Sequence, residues 1–304
     1  MLSSVAPGAV ASVQSVLNGR STTDAVMKER AMPDIFDFDA YSPKEIAVRV
    51  ETIGVTKARL PLLSMLMLSV LAGAFIGLGA LYFVLVKSDA SLSFATMQVL
   101  GGVTFSLGLL LVVIAGAELF TGNNLLAMAW ADGKISTREL LGNWAIVCAG
   151  NFVGAAGLAL LVFLSRHPDM NNGAVAQTYM KIAVAKVTMP FWTAFFKGVL
   201  CNVLVCMAVW MALAGRSVID KAVAIVFPIS AFVAAGFEHS VANMYIIPLA
   251  MLLQAFGGDG ETAAITWAGF FHNMVPVILG NIAGGSVLVA LVYYVIYLRV
   301  PNHK

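Results

Sequence analysis

Glu238 and His239 stand side by side between two uncharged runs, residues 222–237 and 240–258. An ionisable side chain at membrane depth costs about 2.5–3.5 kcal/mol on insertion scales, so such a pair marks a functional site by default. Histidine is the side chain that trades protons near neutrality, with an unperturbed pKa of about 6.5. The pair therefore offers proton exchange and hydrogen bonding to whatever passes, or, more simply, a carboxylate and an imidazole satisfying one another inside a bundle. An echo favours the first reading. Gly116-Ala-Glu-Leu-Phe-Thr-Gly-Asn123 repeats the Gly-x-Glu-x4-Asn pattern of Gly236-Phe-Glu-His-Ser-Val-Ala-Asn243, again inside an apolar run.

These residues need a membrane protein to hold them. Of the 304 residues 60% are hydrophobic and 11% charged, with a mean hydropathy of +0.89. A soluble domain carries about 25% charge, so this is a polytopic membrane chain. A formal net charge of +2 gives no reason to expect a nucleic-acid partner. Cys148, Cys201 and Cys206 all lie in apolar runs without metal-ligand spacing, so they read as packing residues, and no metal or cofactor is expected. No cleavable signal is visible in the first 59 residues.

The reading is all-α. Residues 1–42 form a flexible cytoplasmic tail, in which Asp34, Asp37 and Asp39 alternate with apolar residues as a solvated strip. Residues 43–59 form an amphipathic surface helix that starts at Ser42-Pro43-Lys44-Glu45, a capping box with proline at the first turn. Residues 60–298 are a transmembrane domain of six spans, and 299–304 a short C-terminal cytoplasmic tail. The apolar blocks around Glu118 and Glu238 are too long for one span and carry glycine beside the carboxylate. The second and fifth spans are therefore expected to be broken at the midplane, where non-helical backbone survives only if buried or lining a cavity. With both termini inside, Lys and Arg number thirteen inside against four outside, which sets the orientation.

Two more motifs echo. Gly150-Asn151-x-x-Gly154 recurs as Gly280-Asn281-x-x-Gly284, and Phe75-x-Gly77 as Phe196-x-Gly198. Three spans per half reverse sidedness, so the expectation is an inverted 3+3 repeat whose broken helices meet around residues 118–124 and 238–243. That is a pore or carrier.

Residues 115–122, 197–206 and 236–244 resemble three signatures of the formate/nitrite transporter family, and the resemblance runs from about residue 43 to 299. It implies an aquaporin-like protomer with its own pore, a homopentamer surrounded by membrane lipid in a bacterial inner membrane, and small monovalent anions such as formate or nitrite as substrate. Carried over by position, His239 is the central pore histidine, with Thr121, Asn202, Glu238 and Asn243 around it. Phe105 and Phe232 match a periplasmic constriction. Leu109, Leu119 and Val205 match a cytoplasmic one, and Lys186 a basic residue above the outer vestibule. Glu118, Asn123 and Lys197 are assigned structural duties. Residues 215–221 and 276–285 look formate-channel-like, whereas Lys197 and Thr121-Gly122 look closer to nitrite-type members. Formate is favoured, with nitrite, hydrosulfide or a short monocarboxylate as alternatives.

The physics fits what the resemblance implies. An anion in a greasy constriction needs donors or protonation. Thr121, Asn202, His239 and the N–H groups at the broken-helix ends supply donors. Lys186 concentrates anions at the mouth. Glu118 and Glu238 accept from backbone N–H groups freed by the breaks, and Lys197 either lines the pore or pairs with a carboxylate. An intramembrane acid/base enzyme is a poor fit, since no nucleophile elbow, HExxH or paired aspartate accompanies Glu238-His239. A neutral-solute channel lacks the paired Asn-Pro-Ala boxes of aquaporins.

Overall fold

The structure is a computed structural model, described over residues 40–256 and 265–299. The acidic strip at Asp34–Asp39, most of the expected N-terminal tail and the C-terminal tail beyond Arg299 lie outside those residues. Among the described residues the regular structure is helical. α1 is Pro43–Ala58, α2 Leu62–Lys87 and α3 Phe94–Leu110, which widens into a π-helical stretch at Leu111–Gly116. A 3-10 turn at Gly122–Leu126 leads into α4, Ala127–Ala131. Then come α5 (Thr137–Leu164), α6 (Ala174–Val187), α7 (Phe191–Ala212), α8 (Val218–Ala234), α9 (Ser240–Phe256) and α10 (Trp267–Ile282), the last continuing in π-helical form to Leu298. Segments Leu62–Lys87, Phe94–Gly116, Thr137–Leu164, Phe191–Ala212 and Trp267–Leu298 are long and apolar enough to cross a membrane, and Ser240–Phe256 is a shorter apolar helix.

Small polar caps start several of these helices. Ser42 with Glu45 and Ser136 with Glu139 form reciprocal capping boxes, and Ser217 does the same with Asp220. The packing then follows glycine. A Cβ on Gly154 would overlap the Val70 carbonyl, and one on Gly284 the Val199 carbonyl. α2 thus touches α5 backbone to backbone, and α7 meets the last helix in the same way, as transmembrane helices do through small residues. α2 also packs on α3, α7 on α8, and α3 on α8.

Both long apolar blocks are interrupted. After Gly116, at φ +85°, Ala117 is extended, and the chain turns again at Phe120 into the 3-10 turn at Gly122. After α8, Gly236 at φ +69° turns the chain into α9. A Cβ at either glycine would meet nothing within 4 Å, so it is the left-handed backbone, and not crowding, that favours glycine there.

α1 lays Ile46, Ala47, Val50 and Gly54 against the 3-10 turn and α4. Its buried Glu51 binds Lys134, a contact the apolar pattern gave no hint of. Burial pushes the Glu51 carboxyl up, and the hydrogen bond from Lys134 pulls the other way.

Candidate functional site

The short extended stretches between helices deliver a buried polar cluster to the middle of the core. Ala242 N–H donates to His239 Nδ1 at 3.2 Å. A backbone N–H is always a donor, so Nδ1 carries no proton and the ring is the neutral Nε2–H tautomer. That Nε2–H faces Thr121 Oγ1 at 3.1 Å, joining the two breaks directly. Phe232 stacks on the imidazole at 5.8 Å and 21°, and Phe105 stands edge-on to both rings. His239 and Thr121 are almost wholly buried.

Around this centre one hydrogen-bond module occurs twice. In the first copy Lys57 pairs with Glu118 Oε1 at 2.9 Å, and Asn123 Nδ2 donates to Glu118 Oε2 at 2.7 Å and to Asn143 Oδ1 at 3.0 Å. Asn143 in turn donates to the Lys57 carbonyl at 3.2 Å. In the second, Lys186 reaches both oxygens of Glu238 at 2.8 and 3.0 Å, and Asn243 Nδ2 donates to Glu238 Oε2 and to Asn273 Oδ1, both at 2.7 Å. Asn273 donates to the Lys186 carbonyl at 3.0 Å. Asn151 and Asn281 pin the breaks alike. Asn151 donates to the carbonyls of Ser69 and Glu118 and accepts from Phe120 N–H, while Asn281 donates to those of Gly198 and Glu238 and accepts from Ser240 N–H. Asn202 Nδ2 lies 2.7 to 3.2 Å from the Thr121 carbonyl, Asn124 Oδ1 and the Asn281 carbonyl, so it ties one copy to the other.

The cluster separates two cavities. One, of about 510 Å³, is lined by Lys57, Glu118, Asn123, Leu109, Leu119 and the Gly116 bend. The other, of about 240 Å³, is lined by Phe105, Phe232, Lys186, Glu238, His239 and Asn243. Phe105 and Leu109 are one turn of α3 apart, about 6 Å along the helix axis, so this turn forms part of the wall between the cavities. Val205 is buried in the core and lines neither cavity.

Four expectations change. Among the described residues neither carboxylate accepts from a backbone N–H: the i+5 asparagine and a lysine hold each one, which explains the Glu-x4-Asn spacing. Lys186 is not a free cation at a mouth but half of a buried ion pair. Lys197 forms no ion pair among the described residues; it is its carbonyl that serves, accepting from Glu238 N–H at 3.3 Å. The Phe75-x-Gly77 and Phe196-x-Gly198 motifs are not equivalent positions, because Ser69 stands where Gly198 does, in contact with Gly150 and Gly280 respectively. Lys57 is a site residue that the sequence reading does not single out from the thirteen inside charges. Its signal was available: Lys57 precedes Lys186, Asn143 precedes Asn273 and Asn151 precedes Asn281 by 129 to 130 residues.

Comparison with known proteins gives a consistent result. The formate/nitrite transporter family profile matches residues 44–295. The chain is 39% identical over 278 residues to the formate channel FocA of Escherichia coli K12, spanning 88% of this chain and 98% of that protein. It is 40% identical over 258 residues to the uncharacterized transporter YrhG of Bacillus subtilis, spanning 84% of this chain and 93% of that one. Among solved structures it resembles a pentameric formate channel with formate bound, with a TM-score of 0.74 at 37% identity over 78% of this chain and 98% of the other.

Proposed function

The chain belongs to the formate/nitrite transporter family, and from that premise we propose that it is a membrane channel for small monovalent anions, formate first among them. Each protomer carries its own pore, in a homopentamer of the cell's inner membrane. The fold is read as six spans in an inverted 3+3 repeat, the second and fifth broken, with both termini cytoplasmic. The twice-built Lys-Glu-Asn-Asn module supports the repeat. On this orientation the Lys57 cavity opens to the cytoplasm and the His239 cavity to the outside.

One observation carries the reading: His239 Nε2–H and Thr121 Oγ1 meet in the wall between two cavities, against Phe105 and Phe232. An anion leaving the His239 cavity loses its water against Phe105 and Phe232, a cost of several kcal/mol without compensation. The Nε2–H donor is the group that can meet it there, by hydrogen bond or by proton transfer to a weak-acid anion. Leu109 and Leu119 then bound the exit. The protein acts by conducting and not by bond making, as its relatives' names as channels and transporters suggest.

Purified protein in proteoliposomes is expected to admit formate faster than glycerol, and faster than nitrite, hydrosulfide or lactate, at both about pH 5 and about pH 7. Glycerol entry without formate entry would replace the anion reading by a neutral-solute one, and a lead for nitrite would move the substrate within the family. A cysteine at the exposed Gln177 on α6 should react with an impermeant thiol reagent from outside the cell. Reaction only from the cytoplasmic face would invert the orientation.

A further inference from the structure

The two Lys-Glu-Asn modules are each electrically balanced, so neither gives its cavity a net charge. Lys57 faces Glu118 at 2.9 Å and Lys186 faces Glu238 at 2.8 Å. One more cation lines the His239 cavity and has no counterpart in the other. It is Lys87, the last residue of α2.

Lys87 forms no ion pair among the described residues. Its Nζ is held by the amide oxygen of Gln98, a neutral acceptor, and lies 6.0 Å from the centroid of the Phe83 ring. The amide orientation is fixed from both ends, because Gln98 Nε2 donates to the Ala234 carbonyl at 2.6 Å. Asp89, two residues on, is the nearest carboxylate in sequence, and it accepts from Ser91 instead, at 2.6 and 2.8 Å. Lys181 on α6 adds more positive charge nearby. An ammonium has three donors; one is used, and the positive charge is uncancelled in a half-buried cleft, where fields are focused more strongly than at an open surface.

We propose that Lys87, positioned by Gln98 and Phe83, forms an anion-docking site at the entrance of the His239 cavity that takes a small monocarboxylate or a like-sized monovalent anion. The charge asymmetry between the cavities then makes the two faces unequal. An anion arriving at the Lys87 face is captured before it meets the Phe105–Phe232 constriction, and one arriving at the Lys57 face meets a neutral vestibule. This rests on the anion-channel reading above, and two readouts keep the two ideas apart.

The first readout is zero-trans formate flux from each face of oriented proteoliposomes. For the native protein the half-saturating formate concentration should be lower on the Lys87 face and should rise with ionic strength there, since added salt partly screens a half-buried charge. Lys87→Gln, with Lys87→Met as a second neutral variant, should raise it about five- to tenfold on that face and flatten its salt dependence. Lys87→Arg should restore both. The second readout is exchange broadening of the 13C-formate resonance by detergent-purified protein, which reports binding without transport. The broadening should shrink in Lys87→Gln and persist in Lys87→Arg. Broadening that depends on Lys87 in a protein without formate flux would keep this site and overturn the transport reading. Formate flux with native half-saturation, salt dependence and broadening in both neutral variants would overturn the site and leave the transport reading standing. A native protein showing neither flux nor broadening would overturn both.

Discussion

His239→Phe is expected to cut formate flux about a hundredfold or more, while His239→Asn keeps flux and loses its pH response. The ring does two jobs through its two nitrogens. Nδ1 accepts from Ala242 N–H just before α9 begins, as a capping acceptor does, and Nε2–H points across the wall to Thr121. Phenylalanine can do neither. It leaves an N–H of the first turn without a partner, at about 1 kcal/mol, and an anion in the constriction without a donor, at a further few kcal/mol. About 2.7 kcal/mol is a hundredfold in rate. Asparagine is among the best capping acceptors, so α9 should start as before, and its amide N–H still donates. It cannot titrate, so flux should lose whatever pH dependence the imidazole itself confers. Flux against pH for both variants, at matched protein level and matched oligomer elution, tests this. A native pH profile in His239→Asn would reduce His239 to a structural hydrogen-bonder and send the pH response to the N-terminal segment or a vestibule.

The parts of this arrangement that sequence could reveal were those written in apolar run length. Helices reach the membrane because residues 60–86 or 140–165 hold no charge, and two breaks show because a glycine and a carboxylate sit together where neither belongs. Partners are another matter. Lys57, at the end of α1, and Glu118 are 61 positions apart with two spans' worth of chain between them, and no periodicity links them. Lys186 illustrates the converse. The resemblance implies a free cation above an outer vestibule, yet a carboxylate 52 residues later cancels it. Charge compensation is a property of folded neighbours, so net charge at a mouth is not legible from sequence. The internal repeat could have carried more weight. Short Gly-x-Gly matches recur by chance in a chain with 27 glycines, and the Phe-x-Gly pair misled for that reason. Buried asparagines are rarer and costlier, and Asn123, Asn143 and Asn151 reappear in order as Asn243, Asn273 and Asn281, with the bonds among carboxylate and asparagines repeated.

Removing either carboxylate should cost more stability than any conservative change at the wall. Glu238→Ala leaves the Lys186 ammonium buried, its side chain 13% exposed, with no counter-ion, and leaves one Asn243 N–H unmatched. Breaking a buried pair from one side costs about 3–5 kcal/mol, because what remains is an unpaired charge. Glu118→Ala should do the same to Lys57, somewhat less severely, since that lysine is 28% exposed and water can reach it. Glu→Gln at either site keeps an acceptor for the asparagine and the outline of the side chain, so it should lie between alanine and native. The discriminating variant is double. Glu238→Gln combined with Lys186→Met removes both charges at once, and should melt above Glu238→Ala despite carrying one more substitution, because neutralising a buried pair as a unit is often close to harmless. The measurement is the temperature at which half of each detergent-purified protein loses its monodisperse oligomer peak. If both alanine variants melted with the native protein while anion selectivity shifted, the two carboxylates would be lining the permeation path and not bracing it. If the double variant melted below Glu238→Ala, the ion pair itself, and not relief of an orphaned charge, would be what the second module contributes.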